Sequence, residues 1–253
     1  MRRHDFGLYG FFPMGIDVDK QRRVTHNATH ERRVVTGLNG NPSIEIINGI
    51  EITNIFTRKR VQGGTEDGNP LIYALKRKWN YSIDRQSKRD LARNFDAISD
   101  IALHGKFFDY IVPLPSSSYV VRLVARGVHI KQPGARLLRC LQKATMGQML
   151  AQMPAVGSVP DKLRGDYTSL LSHLRKQSPN HVFQMKLVDP KLRPYLPPLF
   201  VADNTAARCS GASVLLIDDL CSTGASFAAA QAVLSPHNPR NLKAFSLLSR
   251  VYP

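Results

Sequence analysis

The sequence predicts an α/β fold: a mostly parallel sheet flanked by helices, with a small β-rich appendage at the N-terminal end. Three observations predict it. Residues 214–217 read Val-Leu-Leu-Ile, a short apolar run suited to a strand buried on both faces. An alanine-rich segment follows that run after a short loop of small residues. Upstream, Leu91, Phe95, Ile98 and Ala102 recur at helical spacing, and residues 108–114 and 243–251 read as further strands. Strands alternating with helices imply a parallel sheet covered on both sides.

The elements follow in order. In residues 1–65, Phe6, Tyr9, Phe11 and Phe12 mingle with Arg2, Arg3, Gly7 and Gly10. Residues 44–53 then alternate about Asn48-Gly49, the strongest short-range hairpin signal. This section is expected to be a β-rich appendage or hood, closed by a loop at Gln62-Gly63-Gly64. Its interleaved aromatic and basic residues fit a modest β core, and equally a surface that stacks single-stranded nucleic acid. The main domain is expected over 66–253. Asp84 or Ser87 is the candidate cap of the helix through Leu91. Residues 108–114 form a strand ending in Pro113-Leu114-Pro115. Leu137, Leu138, Leu141 and Met149 suggest a helix over 134–150, residues 152–166 a loop, and 182–188 an extended segment.

Composition narrows the classes. The chain has 253 residues, 43% of them hydrophobic, enough for one sizeable domain with an appendage. No apolar run nears the roughly 20 residues that span a bilayer, and no signal-peptide pattern opens the chain. No membrane role is expected. Cys140, Cys209 and Cys221 are widely spaced, which supports neither a disulfide framework nor a structural metal. A cytoplasmic setting is the expectation. The net charge of +16 predicts attraction to polyanions and reads two ways: a solvated basic surface with a site for a highly charged diphosphate, or an RNA or DNA partner. Residues 110–160 contain no Asp or Glu but carry Arg122, Arg126, Lys131, Arg136, Arg139 and Lys143. Further cations cluster at 76–93 and at Arg58, Lys59 and Arg60.

The chemistry concentrates at 214–226. Asp218 and Asp219 end the apolar run. Cys221, Ser222, Thr223, Gly224, Ala225 and Ser226 make a loop that opens a helix. A helix N-terminus with free N–H groups attracts phosphate. Two acids beside it would repel the same phosphate, so they suit sugar hydroxyls or a divalent cation. One ligand with a phosphate, neighbouring hydroxyls and a metal-binding diphosphate is 5-phosphoribosyl 1-diphosphate (PRPP). The metal-binding strand of a P-loop NTPase also ends in paired acids, but no G-x-x-x-x-G-K-[ST] run precedes this one.

The stretch resembles the PRPP motif of type I phosphoribosyltransferases: a hydrophobic strand, two acids, two variable residues and Thr-Gly-x-Ser/Thr. Asp218, Asp219, Thr223, Gly224 and Ser226 match it. Residues 71–78, Leu-Ile-Tyr-Ala-Leu-Lys-Arg-Lys, look like the opening of ComF-type members. Residues 110–115, Tyr-Ile-Val-Pro-Leu-Pro, look like their strand entering the pyrophosphate loop, and Arg126-Gly127-Val128-His129 stands where they carry Arg-Gly-Phe-Asn. The resemblance covers about residues 70–250. The chain departs from ComF proteins in lacking a paired-cysteine zinc ribbon, in His129, and in Ser116-Ser117-Ser118 where a more basic stretch is usual.

The resemblance implies a Rossmann-like type I phosphoribosyltransferase fold and transfer of phosphoribose to a nitrogenous base or related nucleophile. Mg²⁺ would be the cofactor and PRPP the co-substrate. Asp218 and Asp219 would hold the ribose hydroxyls, Cys221 to Ser226 the 5′-phosphate, and Pro115, Ser116 and Ser117 the pyrophosphate. Arg126 or Lys131 would close over the diphosphate from a mobile stretch, and Lys76 would contact the base. As bare residues these three cations also read as solvated surface charge, Lys76 and Lys131 more so than Arg126. An oligomer or part of a larger complex is the expected state. Its relatives also include competence proteins and accessory effectors of antiphage cassettes built around a reverse transcriptase, which suits the basic charge.

Overall fold

A computed structural model describes residues 13–60, 69–116, 118–185 and 188–252. The aromatic cluster at Phe6 to Phe12, the Gln62-Gly63-Gly64 loop and Ser117 lie outside these residues. The chain begins with β1 (Gly15–Val18) and β2 (Arg23–Asn27), an antiparallel pair, followed by β3 (Val34–Val35). Next come β4 (Ser43–Ile47) and β5 (Ile50–Lys59), joined by the expected hairpin. Asn48 and Gly49 both take positive φ, 52° and 77°, the two-residue turn whose twist suits antiparallel strands.

Then follow α1 (Pro70–Lys76), β6 (Ser82–Ile83), α2 (Arg85–Leu103), β7 (Tyr110–Pro113), α3 (Tyr119–Lys131) and β8 (Arg136–Leu137). Asp84 caps α2, its carboxylate accepting from the Ser87 N–H at 2.8 Å and the Ser87 hydroxyl at 2.7 Å. Such a cap contributes about 1 kcal/mol. An insert comes next, with β9 (Leu141–Lys143), α4 (Met146–Gln152), α5 (Arg164–Arg175) and β10 (Phe200–Ala202). The chain closes with β11 (Ser213–Leu220), α6 (Ala225–Leu234) and β12 (Asn241–Tyr252).

The fold is mixed α/β around a mostly parallel sheet, ordered β3-β5-β12-β11-β7-β8, with β4 also paired to β5. β5, β12, β11, β7 and β8 are mutually parallel, and only β3 and β4 run against them. Helices α1, α2 and α3 cover one face over Ile111, Leu215, Ile217 and Phe245. Helix α6 covers the other, over Val112, Val214, Leu216 and Ala244. The insert has its own core around Met149, Tyr167, Leu171 and Leu174.

Three expectations need correction. The boundary near residue 65 does not separate two sheets. β5 pairs with β12 from Ile52↔Ala244 to Lys59↔Tyr252, so the N-terminal section supplies an interior strand of the central sheet. Among the described residues of that section only β1 and β2 stand apart, in a small sheet completed by β6. The helix expected over 134–150 is β8, β9 and the short α4. Pro133 and Gly134 break helical continuity, Leu137 is 45% exposed, and buried Leu138 and Cys140 flank exposed Arg139 at strand spacing. A Thr145–Gln148 capping box starts α4 only at Met146. The extended part of 182–188 is short: Val182 bridges Thr145 and the Phe183 N–H donates to the Ala144 carbonyl at 2.9 Å, before a 3-10 turn at Met185.

Candidate functional site

β11 is central because its apolar run is buried on both sides, between β7 and β12. It delivers two carboxylates at its carboxyl end, the side where open α/β sheets bind ligands. Successive side chains point to opposite faces. Asp219 therefore shares the α1–α3 face with Leu215 and Ile217, and Asp218 the α6 face with Val214 and Leu216.

Asp219 is 4% exposed and paired with Lys76, whose ammonium lies 2.8 Å from Oδ1 and 2.7 Å from Oδ2. Lys76, the last residue of α1, thus engages the site's own acid rather than an open base position. Asp218 is half-buried, and its Oδ1 accepts from the Asp219 N–H at 2.8 Å. Burial, then the charge of Asp219, pushes its carboxyl up to about 7, against the opposing pull of the Asp219 N–H, Lys76 and Lys143.

The chain leaves β11 through Cys221, whose N–H donates to the Leu248 carbonyl at 2.8 Å. Its thiol is buried and pushed up to about 12 by that burial and by Glu45, so it fills space as an inert group. Ser222 and Thr223 are exposed, and Gly224 turns at φ +76° into α6. Thr223 Oγ1 accepts from the Ala225 N–H at 3.4 Å. Among the described residues no hydrogen bond takes the N–H groups of Ser222, Thr223 or Gly224. Residues 220–227 enclose a hollow of about 60 Å³. Free N–H groups at the positive end of a helix make that hollow an anion cradle. Ala225 is exposed and Ser226 half-buried in the first turn of α6.

The second loop reaches the same end of the sheet. The Leu114 N–H donates to the Ile217 carbonyl at 2.8 Å, which sets half-buried Pro115 and exposed Ser116 beside the strand end carrying Asp218. Ser116 Oγ accepts from the Ser118 N–H at 3.1 Å, and Ser118 caps α3.

Arg126 and Lys131 are placed otherwise than expected. Both lie within α3, a regular helix rather than a mobile stretch. Lys131 ends that helix, about 18 Å from its start at 1.5 Å per residue. Its ammonium contacts Asp96 at 2.6 Å and Asp100 at 2.8 Å. Burial draws its pKa down, but these two carboxylates outweigh it and hold the group above its usual value. Arg126 is exposed at mid-helix.

The support beneath the 221–226 loop comes from the hairpin of the N-terminal section. Arg58 of β5, grouped in sequence with surface cations, is 3% exposed. Its guanidinium donates to the Cys221 carbonyl at 3.3 Å, to the Ser249 carbonyl and to Asn69 Oδ1. Buried Glu45 of β4 accepts from Asn54 at 2.9 Å and pairs with Arg250 at 2.8 Å. Ile47 abuts Gly224. Lys143 of β9 brings the insert's charge to bear on Asp218. The Asn-Gly turn marked the hairpin, but no local signal revealed what it supports.

Among the described residues no group of three or more His, Cys, Asp or Glu side chains gathers as a metal cage, and no helix is long and apolar enough to cross a membrane. No protein-family model and no curated protein sequence matches the chain.

Proposed function

We propose that the chain binds PRPP and transfers its phosphoribosyl group to a nitrogen nucleophile, releasing pyrophosphate. One observation carries the reading: two adjacent carboxylates end a central parallel strand immediately before a cradle of unbonded N–H groups at a helix N-terminus. The cradle of Ser222 to Ser226 takes the 5′-phosphate, while buried Cys221, its N–H held by the Leu248 carbonyl, shapes the loop from beneath. Asp218 and Asp219 take the ribose hydroxyls, and the stretch through Pro115 and Ser116 takes the diphosphate. The C1′–O bond breaks, its electrons leave with pyrophosphate, the nucleophile's nitrogen bonds to C1′, and its proton passes to solvent.

Lys76 offsets the charge of Asp219, so two acids can stand beside a polyanionic substrate without summed repulsion. Asp218 keeps Oδ2 out of any hydrogen bond among the described residues, open toward a hydroxyl or a cation. Asp218 would hold Mg²⁺ through its open carboxylate, since among the described residues the protein offers one such group rather than a full shell. When bound, Mg²⁺ supplies charge neutralisation of the leaving pyrophosphate. The test is Mg²⁺-dependent PRPP consumption with bases supplied. Absence of PRPP binding by the wild-type chain overturns the proposal.

A second reading, a nucleic-acid-associated effector on the same fold, rests on the net charge of +16 and on exposed Arg136 and Arg139 around β8, the sheet's edge strand. Neither is in an ion pair among the described residues. Affinity for DNA should then fall with salt at a log–log slope of about −0.9 per duplex phosphate neutralised. Salt-insensitive or absent binding removes this reading.

A further inference from the structure

The helical face of the sheet holds a cavity of about 360 Å³ between α2 and α3. Phe56 and Leu247 form its floor, and Leu91, Phe95, Val120 and Val124 its walls. It shares no lining residue with the hollow at 220–227. The two helices approach at Gly127, where a Cβ would lie 2.7 Å from Phe95 Cε1, and again where Lys131 bonds Asp96 and Asp100. The cavity lies on the other side of Gly127, toward Lys88 and Tyr119. Ala92, a single methyl, stands exposed at its rim, and Leu123 beside it is 57% exposed. The volume falls in the range of about 300–1,000 Å³ typical of small-molecule pockets.

Among the described residues the charge on the helices flanking the opening is mostly positive, and the exposed Asp84 carboxylate at the N-cap of α2 is taken up by the Ser87 N–H and hydroxyl. Among the described residues, Lys88 is the only formally charged one lining the cavity. Arg85 and Arg89 are exposed on the same stretch of α2, and Arg122 and Arg126 on α3. None of these five cations is in an ion pair among the described residues. The acids of α2 are engaged elsewhere: Asp90 by Arg93 at 2.8 Å, and Asp96 and Asp100 by Lys131.

We propose that this cavity is a binding site for a small amphiphilic anion, its apolar body between α2 and α3 and its head at Lys88. An apolar interior suits no sugar or nucleotide, whose polar groups would lose their hydrogen bonds to water there. A nucleic acid would meet the cations and leave the cavity empty. The proposal stands independently of the reading of the Asp218–Asp219 site.

The experiment is calorimetric titration of the full chain with decanoate and, separately, with decylammonium, both below their micelle concentrations. Three proteins are compared: wild type, Ala92→Trp, which fills the rim from an exposed position, and Lys88→Glu. The wild type should bind one decanoate and prefer it to decylammonium. Ala92→Trp should weaken decanoate at least about tenfold. Lys88→Glu should weaken it about fivefold, the scale of one exposed ion pair, and narrow the preference for the anion. Thermal melts of both variants verify folding. Equal affinity for the two probes, no binding of decanoate, or decanoate binding unchanged by Ala92→Trp overturns the proposal.

Discussion

Ile47 and Gly224 touch so closely that a Cβ added to the glycine would lie 2.6 Å from Ile47 Cγ2. The contact joins the hairpin of the N-terminal section to the 221–226 loop, and Gly224 also sits at φ +76°, where a side chain is strained whatever the space. Gly224→Ala should therefore lower stability by about 1–3 kcal/mol and abolish PRPP binding. Adding Ile47→Ala should recover part of the stability by removing the clash, leaving the backbone strain. Thermal melts with parallel titrations check this. A Gly224→Ala chain that binds PRPP normally would count against the cradle.

Lys76 and Asp219 form a pair with side chains 17% and 5% exposed. Removing one partner of a buried pair leaves an uncompensated charge, at a cost of about 3–5 kcal/mol. Lys76→Met should be strongly destabilising, and Lys76→Met with Asp219→Asn markedly less so than the two losses added. A denaturant double-mutant cycle measures the coupling, and strict additivity would show the pair to be incidental.

Asp218 gives a pH signature. Its carboxyl is raised from 3.8 to about 7 by burial and by Asp219. Between those values the folded chain holds a proton that the unfolded chain releases, so this group lowers stability as pH rises from about 4 to 7 and adds no further slope above. Asp218→Asn carries no such charge. The melting temperature of Asp218→Asn should gain on the wild type as pH climbs from 5 to 7.5. Parallel curves would refute the assignment.

Lys131 bonds Asp96 and Asp100 at the far end of α3. Lys131→Met should cost about 0.2–1 kcal/mol, as for other solvent-accessible pairs, and leave PRPP affinity unchanged. A large loss of PRPP affinity would restore the closing role that the resemblance implies for it.

What the sequence made legible was local. The run at 214–217, the loop to Ser226, the Asn48-Gly49 turn and the Asp84 cap each depend on residues a few positions apart. The partner of β5 was not legible, because its parallel pairing to β12 joins residues 192 positions apart, as in Ala244↔Ile52. Arg58 was hidden for the same reason. An arginine followed by Lys59 and Arg60 reads as surface charge, and only the pairing with β12 and the return of the chain at Cys221 bury it. The helix expected over 134–150 failed on a coincidence of spacing. Leu137, Leu138 and Leu141 fit a helical face, while the chain turns at Gly134 and lays β8 along β7. The insert from Leu141 to Ala202, with its own core, was not visible as a unit, and it places Lys143 close enough to act on Asp218.

The most direct measurement is calorimetric titration of PRPP with Mg²⁺ into the wild-type chain and into the Asp218→Asn, Asp219→Asn double variant. One-to-one binding by the wild type, lost in the folded double variant, is the predicted result. No binding by the wild type, or equal binding by both, would contradict the assignment of Asp218, Asp219 and the loop to Ser226 as a PRPP site.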